Sequence, residues 1–322
     1  MPHPDNSGWM SLLLGAPVTA PARRSVDDVV ASRSFFDRSH LNANLPSLAA
    51  IHEGVLLRTR NSIELTAEIC VPHGPGPYPT VLYLHGGAWC SGAAKGTRRV
   101  TTRLAAAGNV VIVPDYGLAP ELPFPWALED CIYAARWSVE HGSKYGGRTG
   151  ALVIGGESSG ANLAAATIVY LLGAGDRTLD EGELAGMPVA FAAALLIYGI
   201  FDFHLVMRDP GSNGGSIEVA FNRAYLGPNY LALHDSPLVS PVLSSNLARF
   251  PSTYLSCGDE DSLLGQTLAM TQALATESVP TTLSVVQGAD HAFVYMEEAL
   301  SGVDAELERI CDWVTAQRDP VT

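Results

Sequence analysis

The sequence predicts an α/β protein, a mostly parallel β-sheet with helices on both faces. Three observations carry this expectation. From Ser62 onward, short β-branched runs alternate with longer amphipathic stretches. Several of the β-branched runs are apolar at consecutive positions, as strands covered on both faces are. No internal repeat or low-complexity segment interrupts the rhythm.

Taken in order, the strand candidates are Ile63 to Val71, Thr80 to Leu84, Val110 to Pro114, Leu152 to Gly155, Ala190 to Tyr198, Thr253 to Cys257 and Thr282 to Val286. Helices are expected between them at Arg98 to Ala107, Ala127 to His141, Gly160 to Leu172, Leu264 to Glu277 and Val303 to Gln317. In the last of these, Leu307, Ile310, Cys311 and Val314 recur at helical spacing and define one buried face. Two regions stand outside the alternation, residues 1–50 and about 202–250, the second rich in Gly, Pro, Asn and Ser. Long insertions in a compact domain are usually lids or binding loops. The expected organisation is therefore an N-terminal cap segment at 1–50 and a catalytic domain at 51–322 with a cap insertion at about 202–250.

Bulk properties narrow the function classes. The chain has 322 residues, 47% of them hydrophobic and 16% charged, enough for a well-buried core. Its formal net charge of −14 repels phosphate backbones and anionic membrane surfaces, so nucleic acid is not an expected partner. The five cysteines are odd in number and contain no C-x-x-C pair, which predicts reduced thiols and neither a disulfide framework nor a zinc knuckle. No Lys or Arg precedes Leu12-Leu13-Leu14, whereas Arg23-Arg24 follow it, the reverse of a signal peptide. The longest apolar run, Met187 to Phe201, is too short to span a bilayer and is broken by Pro188 and Gly199. A cytoplasmic location without a membrane span is expected. Neither H-E-x-x-H nor a phosphate-binding G-x-x-x-x-G-K-[ST] occurs, so no metal and no cofactor is expected.

The chemistry is concentrated in three places. Gly156-Glu157-Ser158-Ser159-Gly160 lies between a predicted strand and a predicted helix, the setting of a nucleophile elbow, in which a sharp turn lifts the serine hydroxyl above the sheet. Only Ser158 has glycine two residues away on each side. A serine hydroxyl needs a neighbouring base, and the base needs a third group to fix its tautomer. Gly258-Asp259-Glu260-Asp261-Ser262-Leu263 and Gly288-Ala289-Asp290-His291-Ala292-Phe293 follow the last two predicted strands, where open α/β sheets bind ligands. His291 is the candidate base. The other histidines, His52, His73, His141 and His234 among them, lack such a setting and are expected on surfaces or loops. Finally, His85-Gly86-Gly87-Ala88-Trp89 follows the strand at Thr80 to Leu84, and adjacent glycines let backbone N–H groups face a cleft. Gly86 and Gly87, with Ser159, are the candidate oxyanion donors.

These residues resemble the hormone-sensitive-lipase-like branch of the α/β hydrolases. That branch shares an HGG motif, a G-[DE]-S-[AS]-G elbow, a D-x-L acid motif and an H-x-F histidine motif. They stand here as His85-Gly86-Gly87, Gly156 to Gly160, Asp261-Ser262-Leu263 and His291-Ala292-Phe293. Asp115 to Glu121 is similar to the family's Y-R-L-A-P-E segment, with Gly117 in place of the usual Arg; Ser262 stands where Pro is usual. The resemblance spans about residues 60–315. It implies a sheet of about eight strands, a helical cap, and a triad of Ser158, His291 and Asp261. Among the neighbouring carboxylates, the D-x-L register favours Asp261 over Asp259, and Asp290 lies too close to His291 in sequence to reach its ring.

The implied function is hydrolysis of carboxylic esters with small to medium acyl chains through an acyl-enzyme. Trp89 and Tyr116 are the expected substrate contacts. An amidase or arylformamidase is the alternative within hydrolases, since relatives with H-G-G-x-W cleave such bonds. A small-molecule receptor that kept the fold and lost the chemistry is the alternative from another class, against which the joint retention of all three triad residues argues. The expected partner is a small-molecule ester, and a homodimer is the assembly left open.

Overall fold

The computed structural model describes residues 26–31, 33, 44–174, 179–180, 182–206, 217–228, 230–296, 300 and 302–317. With helices of six or more residues numbered in chain order, the elements are α1 (Val26–Ala31), β1 (Ala50–Arg60), β2 (Ile63–Val71), β3 (Tyr78–Leu84), α2 (Arg98–Ala106), β4 (Val110–Pro114), α3 (Trp126–His141), β5 (Gly147–Glu157), α4 (Ser159–Val169), β6 (Phe191–Ile197), α5 (Ile217–Leu226), β7 (Ser252–Gly258), α6 (Leu264–Thr276), β8 (Thr281–Val286) and α7 (Val303–Ala316). The strands form one eight-stranded sheet in the order β1-β2-β4-β3-β5-β6-β7-β8. β1 pairs antiparallel with β2, β2 pairs antiparallel with β4, and every later pairing is parallel.

Alternate residues of the central strands feed two cores. Leu82, Leu84, Ile112, Leu152, Ile154 and Leu196 meet α3, α4 and α6 on one face. Val81, Tyr83, Val111, Val113, Val153 and Leu195 meet α2 and α7 on the other. Burial on both faces explains why these strands read as continuous apolar runs.

All seven predicted strands are present, and β1 is an eighth that the alternation did not announce. β1 and β2 form a hairpin closed by Asn61 and Ser62, both at positive φ (51° and 63°). This is the two-residue turn whose twist matches paired strands. Of the predicted cap, α1 packs against α5, and Val29 on α1 is fully buried. Residues 207–216 and most of 1–43 lie outside the described residues. His234 lies in the turn after residues 230–233, on a loop as expected, but is buried beside Phe203, Tyr230 and His204, because the insertion folds back on itself and encloses it. Among the described residues, no helix is long and apolar enough to cross a membrane.

Candidate active site

The site begins where β5 meets α4. Ser158 sits between them at φ 53° and ψ −122°, a strained conformation for a residue with a side chain. The turn passes so close to β3 that a Cβ at Gly156 would lie 2.4 Å from the Leu84 carbonyl oxygen, and one at Gly160 only 2.0 Å from it. Glycine at these two positions is thus a packing requirement of the elbow.

The loops after β7 and β8 bring the other two groups to the hydroxyl. Ser158 Oγ is 3.1 Å from His291 Nε2, and His291 Nδ1 is 2.8 Å from Asp261 Oδ2. A carboxylate only accepts, so the ring proton resides on Nδ1 and Nε2 is left to accept from the serine. Asp261 is oriented in turn by the backbone N–H of Leu263, which donates to its Oδ1 at 2.8 Å. The neighbouring carboxylates are engaged elsewhere. Asp259 accepts the Gly288 N–H at 2.6 Å, and Asp290 accepts the backbone N–H of His291, also at 2.6 Å. Burial raises the carboxyl of Asp290 above the usual range.

The glycine loop after β3 requires a correction. Gly86 N–H donates to Glu157 Oε1 at 3.3 Å, so it is committed behind the elbow and is not a free donor. The backbone N–H groups of Gly87, Ala88 and Ser159 have no hydrogen-bond acceptor among the described residues. Ser159 opens α4, where helical N–H groups have no partner within the helix. Ala88 was not singled out from the sequence. Its signal was its place directly after the two glycines, and it stands at a φ of 53°.

Two expected substrate contacts prove to be supports. Tyr116 is buried, donates its hydroxyl to the His85 carbonyl at 2.7 Å and stacks on the His85 ring at 4.1 Å. Trp89 is 1% exposed, stacked on Tyr225 of α5 at 4.5 Å and flanked by Phe203. Neither presents a free surface to a ligand, because the loops they belong to are packed from behind.

Glu157 joins several parts of the site. Tyr83 donates to its Oε2 at 2.5 Å and Tyr295, just beyond the histidine loop, donates to its Oε1 at 2.5 Å. Burial, reinforced by the adjacent carboxylate, pushes the Tyr83 hydroxyl well above its ordinary range, so it remains a donor. The loop that lacks an arginine at 117 is held by Asp130, which accepts the Gly117 N–H at 2.8 Å on one oxygen and Arg58 at 2.7 Å on the other. A Cβ at 117 would lie 2.4 Å from the Trp126 ring, so a side chain there would force Trp126 or Leu122 to move. Among the described residues, no group of three or more His, Cys, Asp or Glu side chains is placed to hold a metal ion.

A parallel-sheet protein with a Ser-His-Asp constellation at the C-terminal ends of its strands is the class defined by this fold and geometry. A family profile described as an alpha/beta hydrolase fold matches residues 81–295, and the chain belongs to that family, in agreement with the resemblance carried by its motifs. It is 31% identical over 223 residues to "Esterase LipI" of Mycobacterium tuberculosis, a match covering 67% of this chain and 66% of LipI. To "Carboxylic ester hydrolase LipN" of the same organism it is 29% identical over 311 residues, covering 88% of this chain and 78% of LipN. Among solved structures, the monoclinic form of the Pyrobaculum calidifontis esterase superposes with a TM-score of 0.76 at 26% identity, covering 96% of this chain and 98% of that one.

Proposed function

We propose that this chain is a carboxylic ester hydrolase acting on esters of small to medium acyl chains through an acyl-enzyme intermediate. The observation that carries the reading is the continuous line from Ser158 Oγ through His291 to Asp261, at 3.1 and 2.8 Å, beside three backbone N–H groups that have no acceptor among the described residues. The esterase names of LipI and LipN support it.

Ser158 Oγ attacks the ester carbonyl carbon while its proton passes to His291 Nε2, and Asp261 balances the imidazolium that forms. The carbonyl oxygen becomes an oxyanion facing the N–H groups of Gly87, Ala88 and Ser159. Collapse breaks the bond to the alcohol, which leaves with the proton from His291. Water then enters, gives its proton to His291 and attacks the acyl carbon. Release of the acid returns that proton to Ser158.

The test is hydrolysis of a short p-nitrophenyl ester, together with labelling by a fluorophosphonate. Ser158→Ala is expected to abolish both in a folded protein. Labelling that persists unchanged in that variant would overturn the assignment. The same assays, run with a matched amide panel, separate ester from amide preference.

A further inference from the structure

The oxyanion loop carries two consecutive side chains at positive φ, Ala88 at 53° and Trp89 at 59°. For a residue as bulky as tryptophan that conformation is an outlier, and it persists only where the surroundings impose it. Part of the restraint is internal: Cys90 N–H, Ser91 N–H and Ser91 Oγ all donate to the Gly87 carbonyl. The rest comes from outside the loop. Arg33, two residues beyond α1, donates from Nε to the Cys90 carbonyl at 2.7 Å and from one terminal nitrogen to the Ala119 carbonyl at 2.9 Å. Ala119 N–H in turn donates to the Trp89 carbonyl at 3.0 Å. Glu121 grips both terminal nitrogens of the guanidinium, at 2.8 and 2.5 Å, and so fixes its plane.

We infer that Arg33 is a positioning residue for the oxyanion loop, through which the N-terminal segment holds residues 87–90 in the turn that frees the N–H groups of Gly87 and Ala88. The inference rests on the proposed role of those donors. A guanidinium is needed because its planar fork reaches two carbonyls and both oxygens of a carboxylate, four acceptors, one more than the three N–H groups of an ammonium can serve. The N-terminal segment is thus a working part of the site. Docking of α1 on α5 brings Arg33 to the loop, and α5 covers the Trp89 indole with Tyr225.

The experiment compares wild type, Arg33→Ala and Arg33→Lys in hydrolysis of p-nitrophenyl acetate and in binding of two inhibitors. One is a trifluoromethyl ketone, which forms a tetrahedral oxyanion on the serine; the other is an unreactive alcohol of similar shape. In Arg33→Ala, kcat is expected to fall about tenfold or more with KM within twofold. Ketone affinity should fall by the same factor as kcat/KM, alcohol affinity should stay unchanged, and Arg33→Lys should restore only a minor part of the loss. A variant that melts earlier but, while folded, keeps wild-type kcat and ketone affinity would overturn the inference and leave the Ser158 reading intact. A wild-type protein that neither hydrolyses the ester nor binds the ketone would overturn both.

Discussion

Which carboxylate completes the triad is decided at the level of single hydrogen bonds. Asp261 faces His291 Nδ1, whereas Asp259 caps the Gly288 turn. Asp261→Asn should therefore be folded and nearly inactive, because the corresponding change in a serine-protease triad costs on the order of 10⁴ in turnover. Asp259→Asn should keep most of its rate and lose about 1 kcal/mol of stability, by analogy with a lost helix cap. Rate measurements on both variants, with circular dichroism as the folding control, check this; the reverse order of activities would move the triad acid to Asp259. The cysteines give a second prediction at this scale. All five are free and buried, and burial pushes the thiols of Cys70, Cys90 and Cys311 up to about 12. A raised value means that at pH 8 only about one of these thiols in 10⁴ is ionised, and the thiolate is the reactive form. Iodoacetamide should leave the native protein active and alkylate all five cysteines after denaturation. Rapid alkylation of native protein at any of those three positions would contradict this.

Among the elements, β1 accounts for most of what the sequence left hidden. β3 to β7 announce themselves because they are buried on both faces, and the elbow and acid motifs follow strands legible in this way; β8, at the other edge and largely exposed, is legible only from its run of β-branched residues. β1 lies at the sheet edge, half exposed, with register shifts between His52 and Val55 and between Leu56 and Arg58, so neither a continuous run nor a clean alternation marks it. It nevertheless delivers Arg58 and Arg60 to Asp130 and Glu129 of α3. Arg58 and Asp130 have side-chain exposures of only 8% and 5%, so this is a buried pair. Removing one partner of such a pair strands the other charge, and Arg58→Ala should lower stability by about 3–5 kcal/mol, read by urea denaturation. Replacing both residues with apolar side chains of similar volume should return only part of that loss, because the Gly117 N–H then loses its acceptor. An Arg58→Ala protein as stable as wild type would show that Asp130 needs no cation to hold the Gly117 loop. Contacts of this kind, like that of Arg33 with the oxyanion loop, join residues more than fifty positions apart, and no local pattern encodes them. Ala88 was missed for a different reason: the glycines beside it attract attention, while the free N–H depends on a backbone angle that composition does not reveal.

For the molecule as a whole, the docking of α1 on α5 supports reading the N-terminal segment and the insertion as two parts of one cap over the strand ends. We propose that such a cap limits acyl length, and we expect faster turnover of acetyl and butyryl esters than of emulsified long-chain triglyceride. Faster turnover of the long-chain lipid would contradict a restrictive cap. The net charge of −14 belongs to the same scale and speaks to solubility, without selecting a substrate.

In the proposed mechanism Ser158 carries the acyl group between the two halves of the reaction. Mass spectrometry of the protein quenched in acid during turnover of p-nitrophenyl acetate tests it most directly. One added acetyl group is expected, located on the peptide containing Ser158 and absent in Ser158→Ala. An acetyl group on a different residue, or undiminished turnover by Ser158→Ala, would contradict it.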